Sequence, residues 1–427
     1  MSKNKLPTEP YKGVRDFYPE DQSFLNYFVD TCGKVAEGFG YVEYHASILE
    51  PAELYKAKGS ENEEIINEQS YTFTDRGGRE VTLRPEMTPT VARMVAAKRR
   101  ELGFPLRLFS TPNVFRYERP QRGRLREHWQ LNVDLFGSHS PAADAEIIAV
   151  AYEIMKAFGA KDGFVIKIND RKNFDSIAEK LHVEEKNKPA LIRLFDRYSK
   201  VERKEWVKEL HALTTEASKD FELDAYVSVI DSLFTENSEA LASVHRTLIA
   251  MGIPEGVISI DPTLARGFDY YTGIVFEVFD TDPQNNRSLF GGGRYDNLTA
   301  LFDDEAITGV GFGMGDVTMY DFLEVRGLIP EYLPATQVYV AVASPDVLPA
   351  ATTLAGELRA QRVRVALDFG EKKLGDQIKT AAKHKIPYLI VVGNDEIASR
   401  EYTVRNLNSG EEKKLSHDGL VSFFHSL

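Results

Sequence analysis

Residues Val114 to Gly137 read VFRYERPQRGRLREHWQLNVDLFG, the densest cluster of arginines in the chain. Arg116, Arg119, Arg122, Arg124 and Arg126 crowd into this stretch, interrupted by Glu118, Pro120 and Gly123, and an alternating apolar run from Trp129 to Phe136 follows. That pattern predicts strand, tight loop, strand. Arginines in a loop between two strands can face a polyanion from a rigid platform, and their planar forks suit bidentate contact with phosphate oxygens. Arginine-rich hairpins also occur as plain solvated surface. The outgoing strand favours the first reading: Leu131, Val133 and Leu135 take one face, so Gln130 and Asp134 share the other. Polar neighbours on a sheet floor can grip one small ligand, and the expectation is a phosphate site with a ligand pocket beside it.

The chain of 427 residues is too long for one core and predicts two or three domains. With 43% hydrophobic residues and no low-complexity tract, its composition is globular. The opening MSKNKLPTEPYKG lacks the apolar centre of a secretion signal, and no run approaches the roughly 18 apolar residues of a membrane span. A soluble, cytoplasmic protein is expected. Cys32 is the sole cysteine, which excludes an intrachain disulfide and every multi-cysteine zinc pattern. Phe24, Leu25, Phe28, Val29, Val35 and Ala36 surround it at helical spacing and predict a core position. A net charge of −13 argues against nonspecific coating of nucleic acid but permits a local basic patch.

Asp21 to Gly38 reads as an amphipathic helix, and Tyr41 to Pro51 as a strand in which His45 is structural. Tyr71 to Met94 predicts strand, turn at Asp75 to Gly78, strand, then a helix with Glu86 and Thr88 at its start and Pro89 in its first turn. Lys98, Arg99 and Arg100 read as a solvated helix face. Ser140 to Phe158 predicts a helix and Phe164 to Asn169 a strand. Charged amphipathic helices then run from Arg171 to about Glu255 and suggest an inserted domain. Strand signals resume in LARGFDYYTGIVFEVFD, Leu264 to Asp280, which gathers Arg266, Asp269, Tyr270 and Tyr271. GGGRYDNL from Gly291 and GVGFGMGD from Gly309 follow; their glycines permit close approach of a ligand or strand, and neither fits a dinucleotide fingerprint or P-loop. From Gln337 onward, VYVAVAS, VRVALD and YLIVVG alternate with helical segments, the pattern of a small parallel sheet. Asp368, Phe369 and Gly370 spell a kinase tripeptide without the other kinase signatures, so it reads as coincidence.

Taken together, TLRPEMT from Thr82, FRYERPQRGRLREHWQ from Phe115, LARGFDYYTGIVFE from Leu264 and GGGRYD from Gly291 resemble, in order, segments of the histidyl-tRNA synthetases, a class II aminoacyl-tRNA synthetase family. The stretch with arginine and two tyrosines is the most specific of these. The resemblance covers essentially the whole chain and implies an α+β fold: an antiparallel catalytic sheet flanked by helices (residues 1–170 and 256–333), a helical insertion (171–255) and a C-terminal α/β anticodon-binding domain (334–427). It implies a homodimer, with Tyr41 to Pro51 resembling motif 1 of the dimer interface.

The implied activity joins L-histidine to tRNA(His) at the expense of ATP, with Mg2+ expected and its ligands left open. By resemblance, Arg116 and Arg266 would be catalytic, holding the α-phosphate and the histidine carboxylate from two sides. Glu118 would orient the adenine amino group and Arg124 would meet the outer phosphates. Glu86, Met87, Thr88, Gln130, Asp134, Tyr270 and Tyr271 would form the histidine pocket, with Asp134 and Tyr271 on the two imidazole nitrogens. Gln121 and Arg122 would face tRNA. One departure stands out: many relatives carry an arginine in motif 3 where this chain has Thr318, so another cation or magnesium would serve the ATP tail. The alternatives are a non-catalytic paralogue that regulates histidine biosynthesis and a generic RNA-binding α/β protein.

Overall fold

The computed structural model describes residues 6–56, 69–198, 201–214, 238–265, 270–283, 285, 287–369 and 372–427. The chain divides into two compact units, Met1–Ile329 and Pro330–Leu427. Among the described residues no helix is long and apolar enough to cross a membrane.

In the first unit the strands are β1 (Val42–Glu43), β2 (Leu49–Pro51), β3 (Tyr71–Thr74), β4 (Glu80–Leu83), β5 (Leu106–Ser110), β6 (Asn113–Phe115), β7 (Glu127–Phe136), β8 (Phe164–Asp170), β9 (Ile258–Ile260), β10 (Ile274–Asp280), β11 (Ser288–Tyr295) and β12 (Gly309–Gly315). The large sheet runs β1-β5-β7-β12-β11-β10-β8-β9, with β6 pairing the start of β7. It is antiparallel except at its margins, where β1 pairs β5 and β8 pairs β9 in parallel. The strand expected over Tyr41 to Pro51 is therefore broken: β1 joins this sheet, whereas β2 joins the separate sheet β2-β4-β3. The change of sheet falls between Tyr44, whose N–H still donates to the Phe109 carbonyl, and Ile48, whose carbonyl accepts from the Arg84 N–H. His45 is exposed there.

One face of the sheet carries the main core. Leu131, Val133 and Leu135 of β7 are fully buried in it with Phe276, Val310 and Phe312. Helix Pro141–Ala157 lies against this face, and Ser140 caps it by accepting from the Ala142 N–H. Helix Pro19–Gly38 adds Phe24, Phe28 and the buried Cys32 to the same core, as the helical spacing predicts. The predicted hairpin and helix over Tyr71 to Met94 form β3, β4 and Thr88–Lys98. The basic cluster at that helix's end is only partly a solvated face, because Arg99 reaches Asp303 at 3.2 Å while Lys98 and Arg100 are exposed.

The helical run after Arg171 does not share one core. Helices Lys172–Lys180, Lys188–Asp196 and Arg203–Leu213 enclose their own cluster around Phe174, Phe195 and Trp206. Helix Glu239–Ala250 buries Leu241, Val244 and Leu248 in the main core against Pro141–Ala157.

The second unit has the sheet order β14-β13-β15-β16-β17, built from Val338–Val342 (β13), Val365–Leu367 (β14), Tyr388–Val392 (β15), Glu401–Asn406 (β16) and Glu412–Ser416 (β17). The three predicted β-branched runs pair in parallel. The last two strands, antiparallel and charged, have no apolar run to announce them. Asp368 of the kinase-like tripeptide is buried and accepts from the Tyr339 hydroxyl at 2.6 Å; Gly370 lies outside the described residues.

Candidate active site

The face of β7 opposite the core carries Gln130, Asn132 and Asp134, and its neighbour β12 pairs them with Gly315, Gly313 and Gly311. Alternate glycines bare one face of β12. A Cβ on Gly311 would lie 2.4 Å from Asp134 Oδ1, one on Gly313 2.9 Å from Gln130 Nε2, and one on Gly309 2.4 Å from the Tyr295 ring. The period-two glycines of GVGFGMGD thus clear a floor for polar side chains from the adjacent strands.

Above this floor opens a cavity of about 410 Å³. Its lining includes Glu86, Thr88, Arg116, Glu118, Arg124, Gln130, Tyr270 and Tyr271, so residues from separated motifs converge on one space. Met87 is fully buried and does not line it. Arg266 and Asp269 lie outside the described residues.

The arginines of the hairpin have different surroundings. Arg116 donates from Nε to the Pro85 carbonyl at 3.0 Å and lines the cavity. Arg126 is buried: it donates to the Glu118 carbonyl and the Tyr11 hydroxyl, and its guanidinium stacks 3.9 Å from the Tyr117 ring centre. It therefore braces the loop. Arg124 stands 3.7 Å from Glu118 at the rim, and Arg122 lies 3.6 Å from Asp321. Gly123, at φ +77°, makes the turn between Gln121 and Arg124, whose backbones pair in both directions.

On the far side, Glu86 sits just before helix Thr88–Lys98 and accepts from the Tyr270 hydroxyl at 3.2 Å. Tyr270 packs on Tyr271 with ring centres 4.9 Å apart and edge-on to Tyr295 at 5.9 Å. Asp134 is enclosed below these rings. The Tyr295 hydroxyl donates to its Oδ1, while its buried Oδ2 has no hydrogen-bond partner among the described residues. Burial raises the Asp134 carboxyl to about 7, with Glu86 adding to the rise and the Tyr295 hydrogen bond opposing it. An unpaired buried carboxylate oxygen costs about 1–3 kcal/mol, so a ligand N–H delivered to Oδ2 would find a strong partner.

Several cavity residues escaped the sequence reading. Tyr295 of GGGRYD, which carries no role by resemblance, fixes Asp134. His128 lines the cavity and is pushed down to about 3 by burial and by the charges of Arg116 and Arg15, which keeps it neutral. Glu277 of β10 and Ser288 of β11 line the wall and bond each other. Arg294 of the same GGGRYD is structural instead: it grips Asp144 at 2.7 Å, the Ser138 carbonyl at 2.8 Å and the Thr308 hydroxyl at 2.7 Å.

Asp316 is fully buried, accepting from Arg15 at 2.6 Å and from the Trp129 N–H at 2.9 Å, so it ties the N-terminal segment to β7. Thr318 does line the cavity, but its hydroxyl is positioned to donate to the backbone carbonyls of Leu289 and Gly315.

A family model described as histidyl-tRNA synthetase matches residues 13–316, and one described as anticodon binding domain matches residues 337–427. The chain is 42% identical to a histidine--tRNA ligase of Leptospira biflexa over 96% of its own length and 95% of that protein. It is 35% identical to one of Thermoplasma volcanium over 98% of each. In fold it resembles the crystal structure of histidyl-tRNA synthetase from Nostoc sp. PCC 7120, with TM-score 0.80 and 24% identity over 99% of this chain and 100% of that one. An ATP phosphoribosyltransferase regulatory subunit/histidyl-tRNA synthetase from Bacillus halodurans shares the fold at TM-score 0.66 and 23% identity, over 89% and 97% respectively. A cavity assembled from these motifs, within a chain that matches the family along nearly its whole length, makes this protein a member of the histidyl-tRNA synthetase family.

Proposed function

We propose that the cavity above β7 and β12 is where L-histidine is activated with ATP, and that the same chain then transfers the histidyl group to the 3′ end of tRNA(His). The chain acts as a histidine–tRNA ligase, as its curated relatives are named. The observation that carries the pocket assignment is Asp134, a buried carboxylate with one oxygen held by Tyr295 and the other unsatisfied, beneath a cavity rimmed by arginines. A histidine ring N–H answers that oxygen. A site built to hydrogen-bond a substrate N–H rejects an analogue lacking it by about 10⁴-fold.

In this reading Tyr271 takes the second ring nitrogen, Tyr270 lines the pocket, and Glu86, Thr88 and Gln130 hold the ammonium group, with Met87 buried behind them. One carboxylate oxygen of histidine attacks the α-phosphorus. The P–Oα bond forms, the bond to the bridging oxygen breaks, and its electron pair leaves with pyrophosphate. Arg116, whose terminal nitrogens have no hydrogen-bond partner among the described residues, stabilises the charge on the α-phosphate and carboxylate. Arg266 is proposed to meet them from the other side. Glu118 takes the adenine amino group and Arg124 the outer phosphates. In the second step the ribose hydroxyl attacks the activated carbonyl carbon and AMP leaves.

Among the described residues no three His, Cys, Asp or Glu side chains cluster as a metal site. Glu277 and Ser288 nevertheless present a carboxylate and a hydroxyl to the cavity wall, which suits Mg2+, an ion that takes one or two carboxylates and completes its shell with phosphate and water. Bound there, Mg2+ would neutralise phosphate charge.

The catalytic domain is proposed to span 1–170 and 256–333 around an insertion, 171–255, whose helix Glu239–Ala250 is the part docked on the main core. Residues 334–427 would read the anticodon. The exposed Val42 and Leu49 on the marginal strands β1 and β2 suit a homodimer interface. We place the enzyme in the cytoplasm with its tRNA. Identity of 42% and 35% to histidine--tRNA ligases over nearly the whole chain supports this reading over a regulatory paralogue. Histidine-dependent exchange of pyrophosphate into ATP tests it; absence of exchange, with histidine still bound, would favour the regulator.

A further inference from the structure

We propose that Arg287 is a ligand for the outer phosphates of ATP, supplying the cation that position 318 does not. The inference rests on the activation reading above. Arg287 immediately precedes β11, and its guanidinium reaches the arginine loop, where Nη1 donates to the Arg122 carbonyl at 3.1 Å. It occupies the space that Gly123 leaves open: a Cβ on Gly123 would lie 2.7 Å from Arg287 Nη1 and 3.7 Å from the Thr318 methyl carbon. Gly123, Thr318, Arg124 and Ser288 all line the cavity; Arg287 does not line it itself, but its guanidinium lies against Gly123, one of the residues that do.

The charge pattern gives this position its meaning. Among the described residues Arg287 has no carboxylate partner, and its one hydrogen bond goes to a neutral carbonyl. A guanidinium carries five N–H donors, so most of its capacity is unspent. Arg126 of the same loop is consumed in bracing it, and Arg124 leans toward Glu118. Thr318 brings no charge from helix Asp316–Val325. A half-buried cation that, among the described residues, forms no ion pair, close to Arg124 and to Ser288 of the cavity wall, is arranged for an anion, and the triphosphate tail is the anion this reaction brings.

The test uses the full chain with Arg287→Ala, Arg287→Lys and Arg287→Gln, the last retaining a donor for the Arg122 carbonyl while removing the charge. Pyrophosphate exchange gives KM for ATP and for histidine, and calorimetry gives the affinities for ATP and for AMP without turnover. Expected for Ala and Gln is at least a tenfold loss toward ATP, about 1.4 kcal/mol, with KM for histidine and affinity for AMP within twofold of wild type, and a smaller loss for Lys. Unchanged ATP affinity in the Gln variant, or equal losses toward ATP and AMP, would overturn the proposal and leave Arg287 a staple of the loop. Wild-type chain without histidine-dependent exchange would instead sink the activation reading, and the ATP-against-AMP comparison would still decide the role of Arg287.

Discussion

Replacing Asp134 by asparagine keeps the shape of the pocket floor and removes its titration. Burial lifts the carboxyl from its usual 3.8 to about 7. A group whose folded pKa is raised stabilises the fold fully below its unfolded pKa, and that contribution is lost as pH rises through the folded value. The shift is about three units at roughly 1.4 kcal/mol each, so about 4 kcal/mol is lost between pH 4 and 8, roughly 3 of it above pH 5. The assay is urea unfolding of ligand-free protein from pH 5 to pH 8, followed by tryptophan fluorescence. Both tryptophans, Trp129 and Trp206, lie in the unit Met1–Ile329, so the signal reports the unit that holds the site. Wild type should lose stability relative to Asp134→Asn by roughly 2–3 kcal/mol across that range, because every other titration cancels in the difference. Saturating histidine should shrink the slope in wild type, since a ring N–H on Oδ2 favours the ionised carboxylate. A difference that stays flat from pH 5 to pH 8 would refute the assignment of Asp134 as a buried, unsatisfied acid.

Arg116→Ala should lower the rate of histidine activation by about 10²–10³-fold with an unchanged unfolding midpoint, the usual cost of removing a transition-state donor; equal loss of stability would make it structural. Arg266→Ala is expected to cripple exchange in the same way, and normal exchange kinetics would remove Arg266 from the mechanism. Arg294→Ala should instead destabilise the unit by about 3–5 kcal/mol, because it strands Asp144, already raised to about 6 by burial, without its counter-ion; a change under 1 kcal/mol in urea unfolding would contradict this. Truncation after Ile329 should spare pyrophosphate exchange and weaken tRNA charging, and full charging by the shortened chain would refute the tRNA role given to the second unit.

Much of this protein is determined by local pattern. Alternation along Leu131, Val133 and Leu135 fixed which face of β7 meets the core, and so that Gln130 and Asp134 lie together on the other, because side chains on a strand alternate by twos. The β-branched runs after Gln337 likewise announced a parallel sheet, and helical spacing put Cys32 inside. Side-chain partnerships across the chain were decided only by tertiary structure. The pattern of FRYERPQRGRLREHWQ does not separate Arg126, spent on Tyr11 and Tyr117, from Arg116, which lines the cavity; Tyr117 lies within the stretch, but Tyr11 is brought to Arg126 only by the fold. GGGRYD likewise does not say that Arg294 is a buried clamp for Asp144 while its neighbour Tyr295 holds Asp134. Alternation assigns the two to opposite faces of β11, but what each face meets is set by sheet order, which places β12 beside it and β7 beyond β12. The sequence announced the arginine hairpin itself, strand, tight turn and strand, for which phosphate is the proposed ligand. That Arg287, just before another strand, reaches this hairpin was decided only by the fold, through the close approach that the bare Gly123 allows.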